Sequence, residues 1–159
     1  LRNAAEKKLT MTKRKTDPEK LELVFQEMKK NKLKLTEPRK LIVEVLFENH
    51  GPFGAEDLHD KYLKRDCDLA TVYRTLTSLE QAKVIKRCDF GDGVARYELL
   101  DHEGNHHHHH LVCTGCKKIE VVDHCDVDHS IDRFAKKRGF KEISHSLEFF
   151  GVCPECQVA

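Results

Sequence analysis

The 159 residues predict an α+β chain in two parts, a helical unit closed by a β-hairpin and a smaller α/β unit behind it. Three observations carry this reading. Apolar residues recur at helical spacing in successive stretches up to about residue 82. The period then changes to two strand-like runs around the Gly-Asp-Gly of residues 91–93. From residue 106 onward, strand-like runs surround one further helical stretch.

In chain order, "DPEKLELVFQEMKKNK" opens on Asp17 as a cap with Pro18 at the first helical position. It sets Leu21, Val24, Phe25 and Met28 on one face. "TEPRKLIVEVLFE" repeats the plan, with Thr36 as cap and Leu41, Ile42, Val45 and Leu46 as the stripe. "GAEDLHDKYLKR" predicts a third helix that buries Ala55, Leu58 and Tyr62. "DLATVYRTLTSLEQAK" predicts a fourth, with Leu69, Val72, Leu76 and Leu79 inward and Thr71, Arg74, Thr75 and Ser78 outward. "VIKRCDFGDGVARYEL" is the hairpin. Helices followed directly by a hairpin describe a winged helix, in which the outward face of the fourth helix would enter a DNA major groove.

"DHEGN" is a polar linker. Beyond it, "HHHHHLVC" and "KKIEVVD" predict strands, and "VDHSIDRFAKKRG" a helix with Val127, Ile131, Phe134 and Ala135 on one face and Gly139 at its stop. "EISHSLEFF" alternates as a strand with Ile143, His145, Leu147 and Phe149 on one side. The expected organisation is a tag or disordered start at 1–16, a winged-helix domain at 17–100, a linker at 101–105 and a metal-binding domain at 106–159. Met11 is a candidate start.

Charge follows the same division. Residues 1–100 carry 21 Lys and Arg against 17 Asp and Glu, while residues 101–159 carry 7 against 10. The first balance is too small to argue for nucleic acid alone, but it sets a mildly basic front against an acidic back. No apolar run reaches membrane-spanning length, and "LRNAAEKKLTMTKRK" has no signal-peptide core, so a cytoplasmic chain without membrane association is expected.

Five of the seven cysteines and nine of the eleven histidines lie after residue 100. "CTGC" (Cys113, Cys116) and "CPEC" (Cys153, Cys156) stand 36 residues apart. Two such knuckles form a tetrahedral thiolate cage for structural Zn²⁺. A zinc deaminase would need a His-x-Glu, which the chain lacks, and a four-sulfur cage leaves no open position for a substrate. No small-molecule substrate and no enzymatic activity are therefore expected. Cys67, Cys88 and Cys125 read as structural or incidental.

The run His106–His110 has its own geometric logic. In an extended chain, His106, His108 and His110 face one way and His107 and His109 the other. One strand can thus serve two metal sites. Glu98, Glu120, Asp128 and His145 are the candidate partners from elsewhere. Mixed nitrogen and carboxylate ligands suit Fe²⁺, Mn²⁺ or Zn²⁺.

"LATVYRTL", "YEL", "HHHHHLVCTGC", "HSLEFFG" and "CPEC" together resemble the ferric uptake regulator family of metal-responsive bacterial repressors, from about Leu33 to Cys156. The resemblance implies an N-terminal winged-helix DNA-binding domain, a C-terminal α/β dimerisation domain, a homodimer and a palindromic double-stranded DNA operator. It assigns Cys113, Cys116, Cys153 and Cys156 to the zinc cage. It assigns Glu98, His108 and His110, with Glu120 next, to an interdomain regulatory site, and His107, His109, Asp128 and His145 to a second site. For DNA it points to Lys34, Tyr73 and Arg74, with Arg39 and Thr71 nearby.

Two positions depart from the family pattern. A regulatory histidine is usual three residues ahead of the alanine of "AEDL"; here that place is Pro52, and His50 is the nearby substitute. The usual strand glutamate falls at Val121, one residue after Glu120. Within the family, Glu98 and Glu120 resemble the iron regulators, so Fe²⁺ is the expected regulatory metal. Zinc- or peroxide-responsive regulation is the alternative, and a metal-buffering protein without DNA function is the reading from another class.

Overall fold

The structure is a computed structural model that describes residues 17–49, 51–100, 108–122, 128–141, 143 and 145–158, with the side chains of residues 128–130 and 132 outside the description. The expected start, at 1–16, and the linker, at 101–105, lie outside the described residues. The chain divides into two compact units at Leu100. Among the described residues, no helix is long and apolar enough to cross a membrane.

The N-terminal unit is a winged helix. Helix α1 (Pro18–Lys30) starts at Asp17, whose Oδ1 accepts from the Glu19 amide at 3.1 Å. Helix α2 (Glu37–Glu48) starts at Thr36, which makes no side-chain capping bond; Pro38 in its first turn leaves one fewer orphan amide there. Strand β1 (Phe53–Gly54) precedes α3 (Ala55–Leu58), and α4 (Leu69–Gln81) leads into β2 (Ile85–Asp89) and β3 (Ala95–Leu99). The hairpin sheet has the order β1-β3-β2, so a third, two-residue strand joins the two predicted ones. Met28, Ile42, Leu58, Val72, Leu76 and Leu79 form the core with Phe53, Ile85 and Tyr97. Each fully buried Leu or Ile contributes about 1.5–3 kcal/mol of burial.

Two expected faces are shifted. After Leu58 the third helix continues as a π-helical turn, His59–Leu63. Its wider turn advances the phase by a residue, so Leu63 is buried at 1% exposure and Tyr62 is exposed, its ring kept edge-on to Phe53 at 5.8 Å. On α4, Thr75 is buried rather than outward, because it lies between Val72 and Leu79 on the same face.

The C-terminal unit is a three-stranded sheet of order β5-β4-β6, built from β4 (His109–Cys113), β5 (Ile119–Val122) and β6 (Glu148–Gly151), with helices α5 (Asp128–Lys137) and α6 (Pro154–Gln157). Strand β5 runs antiparallel to β4 and β6 parallel to it. The last strand is shorter than its alternation predicts. Pairing with β4 covers only Glu148–Gly151, and Ile143, His145 and Leu147 precede it outside the ladder. The expected inward face of α5 is also corrected. Ala135 is buried, but Ile131 and Phe134 are exposed, with the Arg138 guanidinium 4.3 Å from the Phe134 ring centre. Gly139 stops the helix at φ +80°, a conformation that favours glycine.

Candidate metal centres and nucleic-acid face

The parallel pairing of β4 with β6 builds the cysteine cage. It sets Cys113 beside Gly151, and the Thr114 amide donates to the Gly151 carbonyl at 2.7 Å. That anchors the first knuckle against the chain leading into the second. The four sulfurs of Cys113, Cys116, Cys153 and Cys156 lie within 4.8 Å of one another, with Cys116 Sγ 3.7 Å from Cys153 Sγ. A tetrahedron with metal–sulfur bonds of about 2.3 Å has edges of about 3.8 Å, so the cage matches zinc. The amides of Cys153 and Cys116 point at Cys113 Sγ from 3.3 and 3.5 Å.

These contacts polarise the sulfurs differently. Backbone N–H groups, that of Cys116 first, hold the Cys113 thiol down to about 6. Cys156, hydrogen-bonded to the sulfurs of Cys153 and Cys116, is pushed up to about 12. Sulfurs packed this closely repel as thiolates, and a dication at their centre would relieve that repulsion. Gly115 leaves room for this packing. A Cβ there would stand 3.1 Å from Cys156 Sγ and 3.3 Å from its Cβ.

The histidine strand separates its side chains by face. The rings of His108 and His110 lie edge to face with centres 5.2 Å apart. The buried His109 ring instead lies 5.2 Å from His145 and 6.3 Å from Phe149. The second expected ligand set is thus represented by His109 and His145; His107 and the Asp128 side chain lie outside the described residues, as does His50. Pro52, in the place of a family histidine, is fully buried and carries no donor.

Glu120 does not join His108 and His110. It stands across from Leu111, and Val121 across from His110. Directly opposed residues share a face, so one residue of register carries the Glu120 carboxylate to the other side of the sheet. There it is exposed and takes the Lys118 ammonium at 2.9 Å. The carboxylate residue that register sets across from His110 is Glu148, on β6, which sequence reasoning did not single out.

Glu98 belongs to the N-terminal unit. It is a buried residue of β3, and Lys86 Nζ approaches its Oε1 at 2.8 Å. The wing turn before it is tied by one carboxylate. Asp92 accepts from both Arg96 Nη1 and Nη2, at 2.9 and 2.7 Å, and from the Val94 amide at 3.1 Å. The Arg96 hydrogen bonds hold the Asp92 carboxyl down to about 2.

On the candidate nucleic-acid face, Asp68 caps α4 by accepting the Thr71 amide at 2.6 Å. Thr71 Oγ1 in turn accepts from Arg74 Nη2 at 2.9 Å, which aims the guanidinium along the exposed side of the helix. Tyr73 is exposed beside it. Arg39 Nη1 donates to the Lys34 carbonyl at 2.8 Å, pinning the segment that presents the exposed Lys34.

This chain has known relatives in sequence and in fold. The profile of the ferric uptake regulator family matches residues 30–150. The chain belongs to the ferric uptake regulator family. A ferric uptake regulation protein of Neisseria meningitidis is 36% identical over 135 residues, 82% of this chain and 91% of that one. The crystal structure of the Vibrio cholerae ferric uptake regulator superposes with a TM-score of 0.68 at 34% identity, covering 80% of this chain and 98% of the other. The Helicobacter pylori ferric uptake regulator, described as having three functional metal binding sites, gives 0.70 at 28% identity, over 92% and 97%. The family's division into a winged helix and a C-terminal α/β domain is the fold this chain adopts.

Proposed function

We propose that this family member is a metal-dependent repressor of metal-homeostasis genes, binding a double-stranded operator as a homodimer, with Fe²⁺ as its regulatory metal and Mn²⁺ or Zn²⁺ as the alternatives. Strand β4 carries the reading. The ring of His110 pairs with that of His108, just ahead of the strand, the ring of His109 lies instead against His145, and the strand ends in a zinc-type cage. That is a structural site with two nitrogen-based half-sites, a construction suited to sensing a metal rather than to turning over a substrate. The three functional metal binding sites described for the Helicobacter pylori relative support the same division.

Cys113, Cys116, Cys153 and Cys156 would hold structural Zn²⁺. Glu98 of the N-terminal unit and His108 and His110 of the C-terminal unit would hold the regulatory ion, and His107, His109, Asp128 and His145 a second one. A bound ion supplies a positive centre that all its ligands must approach together. The DNA-competent arrangement is then the one whose ligands bind more tightly, and metal shifts the population toward it. Lys34, Arg39, Thr71, Tyr73 and Arg74 would contact groove and phosphates. Exposed Leu111, Ile131, Phe134, Phe140, Phe149 and Phe150 in the C-terminal unit support burial against a second copy.

The test is selection of binding sites from a random duplex pool, followed by affinity for the selected site in chelator, Fe²⁺, Mn²⁺ and Zn²⁺. One metal should tighten binding by about tenfold or more, within the usual span of coupling between sites. Equal affinity in all four conditions would overturn the proposal.

A further inference from the structure

Cys88 sits on the wing where core packing does not explain it. The register of β2 with β3 sets Cys88 across from Arg96 and Lys86 across from Glu98, so these four side chains share one face. The opposite face, with Ile85, Ala95, Tyr97 and Leu99, packs into the apolar core. Cys88 therefore points away from that core. Even so it is only 7% exposed, and Glu98, its diagonal neighbour, only 3%. The Cys88 sulfur and a Glu98 carboxylate oxygen lie within 4.8 Å of each other. A small thiol buried as an apolar filler belongs among hydrocarbons; this one is buried beside a carboxylate with a lysine ammonium 2.8 Å from it.

Sulfur and carboxylate oxygen on one zinc-like ion, with bonds of about 2.3 and 2.1 Å, stand at most about 4.4 Å apart. The Cys88 sulfur and the Glu98 carboxylate, within 4.8 Å of each other, stand close to that span. We propose that Cys88 is a thiolate ligand of the regulatory metal alongside Glu98, and that it sets the preference of the site. The inference rests on the reading of Glu98 as a regulatory ligand. It supplies a sulfur donor to a set in which Pro52 offers none. Thiolate favours softer, later ions, so Zn²⁺ and Fe²⁺ gain over Mn²⁺ relative to a site of imidazole and carboxylate alone.

The experiment adds Co²⁺ to the full-length reduced protein whose cysteine cage holds Zn²⁺, which is spectroscopically silent. Zinc retention is measured in every sample. Wild type should show sulfur-to-cobalt charge-transfer absorption as the second metal binds. Cys88→Ser should lose that band, keep the weaker ligand-field bands, and bind Co²⁺ and Zn²⁺ about tenfold or more weakly, with a smaller change for Mn²⁺. Cobalt binding without charge transfer, or an unchanged band in Cys88→Ser with zinc retained, overturns the role of Cys88 and leaves the Glu98 site standing. Absence of any second-metal binding, or binding indifferent to Glu98→Ala, removes the site itself and with it this inference.

Discussion

Glu120 stands directly across from Leu111 in the β4–β5 pair, on the face that carries His109 and away from the face that carries His110. The family resemblance offers Glu120 as the next candidate regulatory ligand, and the register sets it on the face opposite His110. Glu120→Ala should therefore leave regulatory-metal affinity within about twofold of wild type, since it breaks only an exposed ion pair with Lys118. His110→Ala should weaken it by about tenfold or more. Metal titration of the zinc-loaded protein distinguishes the two, and equal losses would put Glu120 back in the site.

Gly115 is needed for the cage rather than for its turn. A methyl group there meets Cys156 Sγ at 3.1 Å, so in Gly115→Ala the Cys156 side chain must give by a few tenths of an ångström inside a closely packed cage. Overpacking of this kind costs about 1–3 kcal/mol, on the order of tenfold or more in zinc affinity. Gly151→Ala is the control, because a methyl there meets nothing within 4 Å. Zinc transfer to a competing chelator, compared across the two variants, checks the difference.

Proton release on zinc uptake should report the unequal sulfurs. Cys113 is held down to about 6, so at pH 7.5 it is already a thiolate and gives up no proton, whereas Cys156, pushed up to about 12, must release one. The reduced, zinc-stripped protein should release fewer than four protons per zinc at pH 7.5. The number should rise by about one as pH falls to 5.5 and Cys113 becomes protonated beforehand. Calorimetry in buffers of different ionisation enthalpy counts them, and four protons at both values would contradict the geometry.

The wing is tied by Asp92 and Arg96. Because the Asp92 carboxyl is lowered from 3.8 to about 2, its stabilisation is complete above about pH 4 and is lost as pH falls through 2. Asp92→Ala should cost on the order of 2 kcal/mol at pH 7 by unpairing a guanidinium whose side chain is only 11% exposed. The gap in thermal midpoint between wild type and variant should close on acidification from pH 4 to 2. A gap independent of pH would mean that the ion pair is not its source.

Arg74 and Lys34 are exposed and held, Arg74 by Thr71 and the Lys34 segment by Arg39. Each acts as a phosphate or groove contact under the proposed function. Arg74→Ala and Lys34→Ala should each weaken operator binding and lower the slope of log affinity against log salt by about one. Thr71→Val, which unties the guanidinium without removing its charge, should weaken binding while leaving the slope near wild type.

Much of this molecule is set by local pattern. Helical spacing in "LELVFQEM" and "ATVYRTLTSL", the Gly-Asp-Gly turn, and each single Cys-x-x-C knuckle follow from contacts a few residues long, whereas joining the two knuckles took the long-range β4–β6 pairing. The alternation of His108, His109 and His110 is of the same kind, which is why ring pairing on opposite sides of β4 could be anticipated. What tertiary structure decided lies wherever one segment meets another. Pairing chose the partners of β4 and so put Glu120 on the wrong face and Glu148 opposite His110. A π-turn exchanged Tyr62 for Leu63, and packing drew Thr75 inward. Cys88 shows the difference most directly. By itself it is one of several unassigned cysteines, and only the register of β2 on β3 turns it from the core and sets it beside Glu98. Periodicity states which residues share a face; which face meets which neighbour depends on long-range pairing, and a single residue of register inverts it.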